Sequence, residues 1–358
     1  MLPEKMIVGD EKLSPYSRRM HEKLNITRGK VPKLVPHLGD RKMYTLHYRT
    51  LKQCLSFGLR LTKIHKVLAF NQKPWLKRYI EFNTRQRQLA TSPFLKDFFK
   101  LMNNAVFGKS CENARKRISV EIVNQKKRAL KLIADPRFKN FNILSNDLAI
   151  FLLDLPEIVF SHPIYVGCAV LELSRCVMFA YHYNYIKPMY DDRAKLLFTD
   201  TDSLCYHIYT EDVYRDMLQH LDRFDTSNFD STHFLYSVKN KQVPGLMKDE
   251  LADSLAIEFV GLRPKLYSLL QQNKSKLVAK GITKTALKNQ IQHNDYKQSL
   301  FETDIHYVDM LAIHSKNHDV HTIHQTKKAL CPTDDKRYIL DDGVNTLALN
   351  HYLTLEPS

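Results

Sequence analysis

The chain has 358 residues, 44% of them hydrophobic, and a formal net charge of +16, which is the composition of a folded protein of two or three domains. Its six cysteines form no CxxC pair, and neither GxGxxG nor GxxxxGK occurs, so a zinc knuckle, a Rossmann nucleotide site and a P-loop are disfavoured. No apolar run reaches the ~18 residues of a membrane helix, and the first residues lack an apolar signal-peptide core. The sequence therefore predicts an intracellular protein without a membrane partner.

Positive charge is concentrated in the first part of the chain. Residues 1–150 hold 32 basic and 11 acidic side chains, a balance of +21, whereas residues 151–358 carry −5. A basic segment of this strength indicates a polyanionic partner, most often a nucleic acid. The alternative is a solvated helical surface whose charge serves solubility.

In chain order, the sequence predicts a basic segment punctuated by prolines, then helices, then strands and helices. Two helices are expected between residues 75 and 110, with Ser92 as the N-cap and Pro93 as the first position of the second helix. A long apolar helix is expected over Pro163–Ile186, buried against a sheet. The other expected elements are a strand at Ile118–Val123, a basic helix at Lys126–Asp135, a β-hairpin of Lys195–Thr199 and Ser203–Ile208, a helix at Val213–Leu221 and a strand–loop–strand at Ile257–Leu270.

Two carboxylates, Asp200 and Asp202, lie one residue apart in the turn of the expected hairpin. A tight turn can project both toward one point, and hard cations such as Mg²⁺ prefer oxygen ligands. With a second metal, such a site would clamp the attacking and leaving oxygens of a phosphoryl transfer. The alternative is a merely polar turn, since Asp is a favoured turn residue. The apolar flanking strands favour the metal interpretation, because charges beside buried strands are costly unless they are used.

The second expected helix has two unlike faces. One presents two ammonium groups, an amide and a ring, and its members are Lys96, Lys100, Asn104 and Phe107. The other is apolar and expected to pack, and its members are Phe94, Phe98, Leu101 and Ala105. Two lysines at i and i+4 repel each other unless an anion lies between them, and a triphosphate would supply that anion. The alternative is a solvated basic face.

Two further patterns are weaker. Lys265 and Tyr267 are two positions apart on an expected strand and so lie on the same face. A cation beside a phenol suits a phosphate backbone and its sugar. Four histidines follow at spacings of four, three and three, but no carboxylate or cysteine frames them, so solvated side chains are favoured over a metal patch. They are His314, His318, His321 and His324.

Taken in order, these constellations resemble three motifs of the family B DNA polymerases. Lys100-Leu-Met-Asn-Asn104-Ala-Val-Phe107-Gly108 is similar to motif B (K-x3-N-S-x-Y-G), Asp200-Thr-Asp202-Ser203 to motif C (DTDS), and Lys265-Leu-Tyr267 to the KxY motif. The surrounding segments resemble the protein-primed branch, in particular the polymerases of Polinton/Maverick transposons and their viral relatives. The resemblance covers nearly the whole chain.

The resemblance implies an α+β fold, a partial polymerase right hand with an antiparallel palm sheet, helical fingers and a thumb-like C-terminal region. It divides the chain into five regions. They are 1–74, like the first protein-priming insertion; 75–110, fingers with motif B; 111–145, a second insertion that helps to enclose template; 146–275, palm with motif C and KxY; and 276–358, thumb-like.

The resemblance also implies an activity and roles for single residues. The activity is template-directed transfer of a nucleotide from a dNTP to a primer 3′-hydroxyl, with Mg²⁺ in a two-metal centre. Asp202 would bind both metals, with Asp200 as a less direct neighbour, and Lys265 and Tyr267 would hold the primer terminus. The implied partners are a DNA primer–template, dNTP and a terminal protein primer. The dNTP would be contacted by Lys100, Lys96, Asn104 and Phe107, with Arg87 as a weaker phosphate ligand.

Three departures from the family pattern bear on activity. Ala105 stands where motif B usually has Ser, and Phe107 stands where it usually has Tyr. Motif A and the exonuclease have no counterpart in the sequence, so one of the two shared metal carboxylates is missing. We therefore expect the chain alone to be inactive or weak. The alternative is a non-catalytic, DNA-binding remnant of a transposon or viral polymerase. Reverse transcriptases and RNA polymerases are disfavoured, because they lack the motif B segment. A basic run at Glu112–Lys131 resembles a nuclear-localisation signal and leaves the nucleus open as the location, but in the family this region falls in the second insertion, so contact with template phosphates is favoured.

Overall fold

The computed structural model describes residues 4–7, 38–252, 254–272, 274–316, 319–333, 337–341, 346–348 and 351. Helices and antiparallel sheets both occur, so the predicted α+β class is confirmed at that level. The chain divides into two compact units. The first unit comprises residues 1–75, 171–310 and 325–358, and the second unit comprises 76–170 and 311–324. The boundary at 170/171 falls inside the expected palm, and the five-region division stays a prediction.

The helices and strands have the following bounds. The helices are α1 Tyr48–Ser56, α2 Lys77–Leu89, α3 Pro93–Ser110, α4 Lys126–Ile133, α5 Ile164–Tyr181, α6 Lys187–Tyr190, α7 Val213–Leu218, α8 Lys284–Gln290 and α9 His293–Phe301. The strands are β1 Glu4–Ile7, β2 Leu46–His47, β3 Val67–Phe70, β4 Ile118–Val123, β5 Phe138–Ser145, β6 Leu148–Asp154, β7 Ala194–Asp200, β8 Ser203–Ile208, β9 Ala256–Arg263, β10 Leu266–Gln271, β11 Ser275–Ala279, β12 His306–Lys316, β13 Asp319–Leu330, β14 Tyr338–Ile339 and β15 Thr346–Leu347. Among the described residues the sheets have the orders β2-β1-β3, β4-β6-β5, β7-β8, β11-β10-β9, β12-β13 and β14-β15.

The second unit contains the helix pair α2–α3 and the antiparallel sheet β4-β6-β5. Helix α3 begins as predicted: the Ser92 hydroxyl accepts the Leu95 N–H at 3.2 Å, and Pro93 opens the first turn, where its missing N–H costs nothing. Helix α4 covers one face of the sheet and forms a small core with it. The buried members of that core are Val123, Leu132, Phe151 and Leu153.

The predicted packing face of α3 is wrong. Phe94 is 75% exposed and Leu101 is 63% exposed, and Phe98 and Ala105 are exposed as well. The helix contacts α2 through a different face, on which Met102 and Asn103 are half-buried. Polar groups fix this choice, because a buried amide must find a partner. The Tyr79 hydroxyl donates to the Met102 carbonyl at 3.2 Å, and the Asn83 amide donates to Asn103 Oδ1 at 3.0 Å.

The expected long helix is longer than predicted and only partly buried. Helix α5 continues through a π-helical turn, His182–Ile186, into α6. Earlier in the helix single positions such as Glu172 and Met178 are buried, and in the later part Tyr185, Ile186 and Tyr190 join a core with the β7–β8 hairpin and α7. Ile164–Arg193 is also long and apolar enough to cross a membrane, since an 18-residue window within it has a mean hydropathy of 1.5. A single such segment among the described residues is weak evidence, since the core helix of a folded domain passes the same test.

Candidate functional site

The hairpin turn that carries the paired carboxylates is tightly fixed. Strands β7 and β8 pair antiparallel from Ala194–Ile208 to Asp200–Ser203, as the sequence predicted. Thr201 lies in the left-handed region at φ 56°, which an L-residue enters only at a cost. The Asp202 N–H donates to the Asp200 carbonyl at 2.6 Å, and the Ser203 hydroxyl donates to the same carbonyl at 3.2 Å. Both carboxylates are thereby held at the end of the hairpin.

A second turn, between β9 and β10, meets the first. It carries Lys265, whose backbone is also left-handed at φ 61° and whose carbonyl accepts the Lys280 N–H at 3.1 Å. The Lys265 ammonium group lies 3.1 Å from Asp200 Oδ1. Their side chains are 52% and 39% exposed, so solvent reaches the pair. The structure therefore brings together two predicted site residues that are 65 positions apart in the sequence.

Tyr267 is held beside this ion pair by other aromatic rings. Its ring stacks on Phe198 with centroids 4.3 Å apart and planes at 24°, and Phe259 lies 5.8 Å from both. Burial, and then the nearby Asp200 carboxylate, raise the pKa of the Tyr267 phenol. Sequence reasoning missed both phenylalanines, although Phe198 precedes Asp200 by two positions on a strand and so lies on the same face.

The opposite face of β10 contains a hydrogen-bonded chain that the sequence did not reveal. The Ser268 hydroxyl lies 2.7 Å from His293 Nδ1, and His293 Nε2 lies 3.1 Å from Glu258 Oε2. Lys297 pairs with the same carboxylate at 3.0 Å, and Lys297 first and His293 second lower the pKa of Glu258. The order of groups is that of a hydrolase triad, but Ser268 is 0% exposed, so no substrate reaches its hydroxyl. This series of hydrogen-bonded side chains therefore has a structural role and links β9, β10 and α9.

The remaining predicted site residues lie in the second unit and are described there alone. Lys96, Lys100 and Asn104 are exposed at four-residue spacing along α3, and Phe107, one turn further on, is half-buried. Arg87 lies in the last turn of α2, and its buried Nε has no hydrogen-bond partner among the described residues. Lys96 and Lys100 thus present two exposed ammonium groups one helical turn apart, and the binding of an anion between them stays a prediction.

The metal-binding capacity of the Asp200–Asp202 turn is limited. Among the described residues, no group of three His, Cys, Asp or Glu side chains is arranged to hold a metal ion. Two carboxylates nevertheless fit one Mg²⁺, which in proteins commonly takes one or two carboxylates and completes its shell with water and phosphate oxygens. Within the part of the chain that the structure describes, the donors of a two-metal centre are not assembled. Of the four histidines, His314 and His321 have ring centroids 5.3 Å apart, and His318 lies outside the described residues.

No protein-family model, curated protein or solved structure matches this chain. In the first unit, the Asp200 carboxylate, the Lys265 ammonium group and the packed Tyr267 phenol meet where two turns converge, and Asp202 is exposed on the same turn as Asp200. Such an arrangement can bind a hard cation and a phosphodiester side by side.

Proposed function

We propose that this chain belongs to a DNA-directed DNA polymerase of the protein-primed family B type, which transfers nucleotides from dNTP to a primer 3′-hydroxyl. One observation carries the proposal. The motif C-like Asp200 and the KxY-like Lys265 are far apart in sequence and make an ion pair at 3.1 Å. A polar turn and an unrelated K-x-Y strand would have no reason to meet. A polymerase needs them together, because the primer terminus must lie beside the metal.

In this proposal each part of the first-unit site has a defined task. Asp202 and Asp200 would hold Mg²⁺, which would supply neutralisation of the charge that develops on the reacting phosphate. Lys265 faces the primer phosphate, and Tyr267 supports the sugar from a position fixed by Phe198. This is catalysis by positioning and electrostatic stabilisation.

The stripe on α3 would hold the incoming nucleotide. Lys100 and Lys96 present their ammonium groups toward a triphosphate, and Asn104 and Phe107 line the base and sugar. Phe107 keeps a ring that can exclude a ribose 2′-hydroxyl, but it lacks the phenol that a tyrosine would offer. DNA, dNTP and a terminal protein primer are the partners that this proposal names.

We expect the chain by itself to extend primers weakly or not at all, because the described residues supply only two carboxylates at the centre. A second candidate is therefore a non-catalytic DNA-binding protein. The observation that favours it is the Lys265–Asp200 ion pair itself, because it engages one of the two carboxylates that a metal would need.

Both candidate functions require binding to a primer–template, and binding of end-labelled DNA, followed by fluorescence anisotropy, tests this requirement. We expect tighter binding to a recessed 3′ primer–template than to a blunt duplex, and loss of this preference in Lys265→Ala and Tyr267→Ala. Lys274→Ala, at the far end of the β10–β11 hairpin, should keep it. Each lost phosphate contact should also reduce the slope of log affinity against log salt by about 1. Equal binding of both DNAs by the wild type contradicts the proposal.

Primer extension with Mg²⁺ and dNTP separates the two candidates. Weak extension that disappears in Asp202→Ala supports the enzyme, and no extension alongside intact primer-end preference supports the binding protein. Robust extension abolished by Asp202→Ala would show that our expectation of weak activity is wrong.

A further inference from the structure

The ammonium group of Lys265 lies where a cation on Asp200 would be expected. It approaches Oδ1 to 3.1 Å, while the hydroxyl of Thr201 donates to the same oxygen at 3.4 Å. Among the described residues, no ion pair or hydrogen bond engages the exposed carboxylate of Asp202. The two carboxylates of the turn are therefore unequal, since one is already neutralised by a side chain and the other is open to solvent.

The backbone keeps this pair in register while the lysine side chain stays free to move. Both turn residues that set the approach, Thr201 and Lys265, have left-handed φ values, and the Lys265 carbonyl is tied to the Lys280 N–H. Beyond Cα, the lysine is a flexible four-carbon stem with a strongly hydrated head. Its head can leave Asp200 without any change in the turns.

We propose that Lys265 competes with a divalent cation for Asp200, and that a phosphate which draws the ammonium group away raises the metal affinity of the turn. This inference rests on the proposed function in one respect: the phosphate is taken to be that of a nucleic acid end. An ammonium group 3.1 Å from Oδ1 and a hard cation on the same carboxylate repel each other, so each weakens the binding of the other.

Coupling of this kind is reciprocal. If the phosphate strengthens metal binding by some factor, the metal strengthens phosphate binding by the same factor. Lys265 would then make the turn a poor metal site in the free protein and a better one once DNA is seated. Its role is that of a positioning residue that orders the binding of two ligands.

Mn²⁺ titration monitored by the electron paramagnetic resonance of free Mn²⁺ tests the competition directly. Lys265→Met keeps the stem and removes the charge, and we expect it to bind Mn²⁺ about three- to tenfold more tightly than the wild type, in keeping with a partly exposed ion pair. The gain should vanish in Lys265→Met/Asp200→Asn. Lys280→Met, a neighbouring exposed lysine, should bind as the wild type does. Equal affinity in wild type and Lys265→Met, or a gain that survives Asp200→Asn, overturns the inference.

The reciprocal experiment measures primer–template affinity with and without Mn²⁺ at constant ionic strength. We expect Mn²⁺ to tighten binding in the wild type and to leave Lys265→Met and Asp200→Asn unchanged, whereas an equal response in all three variants overturns the inference. The preference for recessed ends, measured without metal, judges the proposed function separately. A protein that keeps that preference but shows no coupling loses only the inference.

Discussion

The ring of Tyr267 stacks on the ring of Phe198, with centroids 4.3 Å apart and planes at 24°. This contact joins β10, which follows Lys265, to β7, which ends at Asp200. The ion pair between the two turns is partly exposed and worth little by itself. We therefore expect the aromatic contact to be the main support for the relative placement of the carboxylate and the lysine.

Phe198→Ala should lower the free energy of unfolding by about 2–3 kcal/mol, because it removes a half-buried ring and its stacking on two others. Urea denaturation followed by circular dichroism measures the change. Leu196→Ala is the matched control on the same strand, since that side chain is 43% exposed and should cost about 0.5–1 kcal/mol. Equal losses for the two variants would argue against the stack as the main support.

His293→Ala should destabilise the first unit by about 1–3 kcal/mol, because it leaves the fully buried Ser268 hydroxyl without its partner. Ser268→Ala removes the same hydrogen bond from the other side. We expect the double variant to cost clearly less than the sum of the two single ones, as measured by a double-mutant cycle in urea. Additive losses would mean that the two side chains do not act together.

Asn103→Ala should lower the unfolding free energy of the second unit by about 1–2 kcal/mol, because the Asn83 amide, 3% exposed, loses its acceptor. Asn104→Ala, one residue further on and exposed, is a close control and should change stability by less than about 0.5 kcal/mol. The reverse order would mean that α3 packs through the apolar face expected from the sequence.

Stability should fall between pH 7.5 and pH 5.5 partly through His182. Burial, and then Lys187, lower the pKa of this imidazole, whose Nδ1 lies 2.9 Å from the Tyr206 hydroxyl. The unfolded chain then binds more protons than the folded one, so this contribution is complete above the unfolded pKa of about 6.5 and is lost as pH falls toward the folded pKa.

Urea midpoints across that range provide the measurement. His182→Gln should flatten the dependence on pH, whereas His207→Gln, an exposed residue of the adjoining hairpin strand, should leave it as in the wild type. Parallel curves for wild type and His182→Gln would contradict this assignment.

Local features of the fold were predictable because their causes are local. Ser92 and Pro93 mark a helix start by their own chemistry, and the apolar strands around Asp200 and Asp202 define a hairpin. The packing face of α3 was not predictable, because it is fixed by the hydrogen bond of Asn103 with Asn83, which lies twenty positions earlier on another helix.

The candidate site shows the same division. Its principal residues follow from the resemblance, but the ion pair of Asp200 with Lys265 does not. The hydrogen bond of Ser268 to His293 has no sequence signal at all, since a serine and a histidine 25 positions apart suggest nothing by spacing.

Strand β10 imposes a limit on how this protein can change. Tyr267 and Ser268 are neighbours in the sequence, yet the Tyr267 ring stacks against Phe198 whereas the Ser268 side chain is buried beside His293. Because strand faces alternate at every residue, inserting a single residue before Tyr267 would exchange the two environments. A bulky phenol would then meet the space of a hydroxyl, and the residue that precedes Tyr267 would take the place of the ring. Insertions or deletions of an odd number of residues in the short β9–β10 connection are thus disfavoured. The connection between β11 and α8 leads into a helix and does not have this restriction.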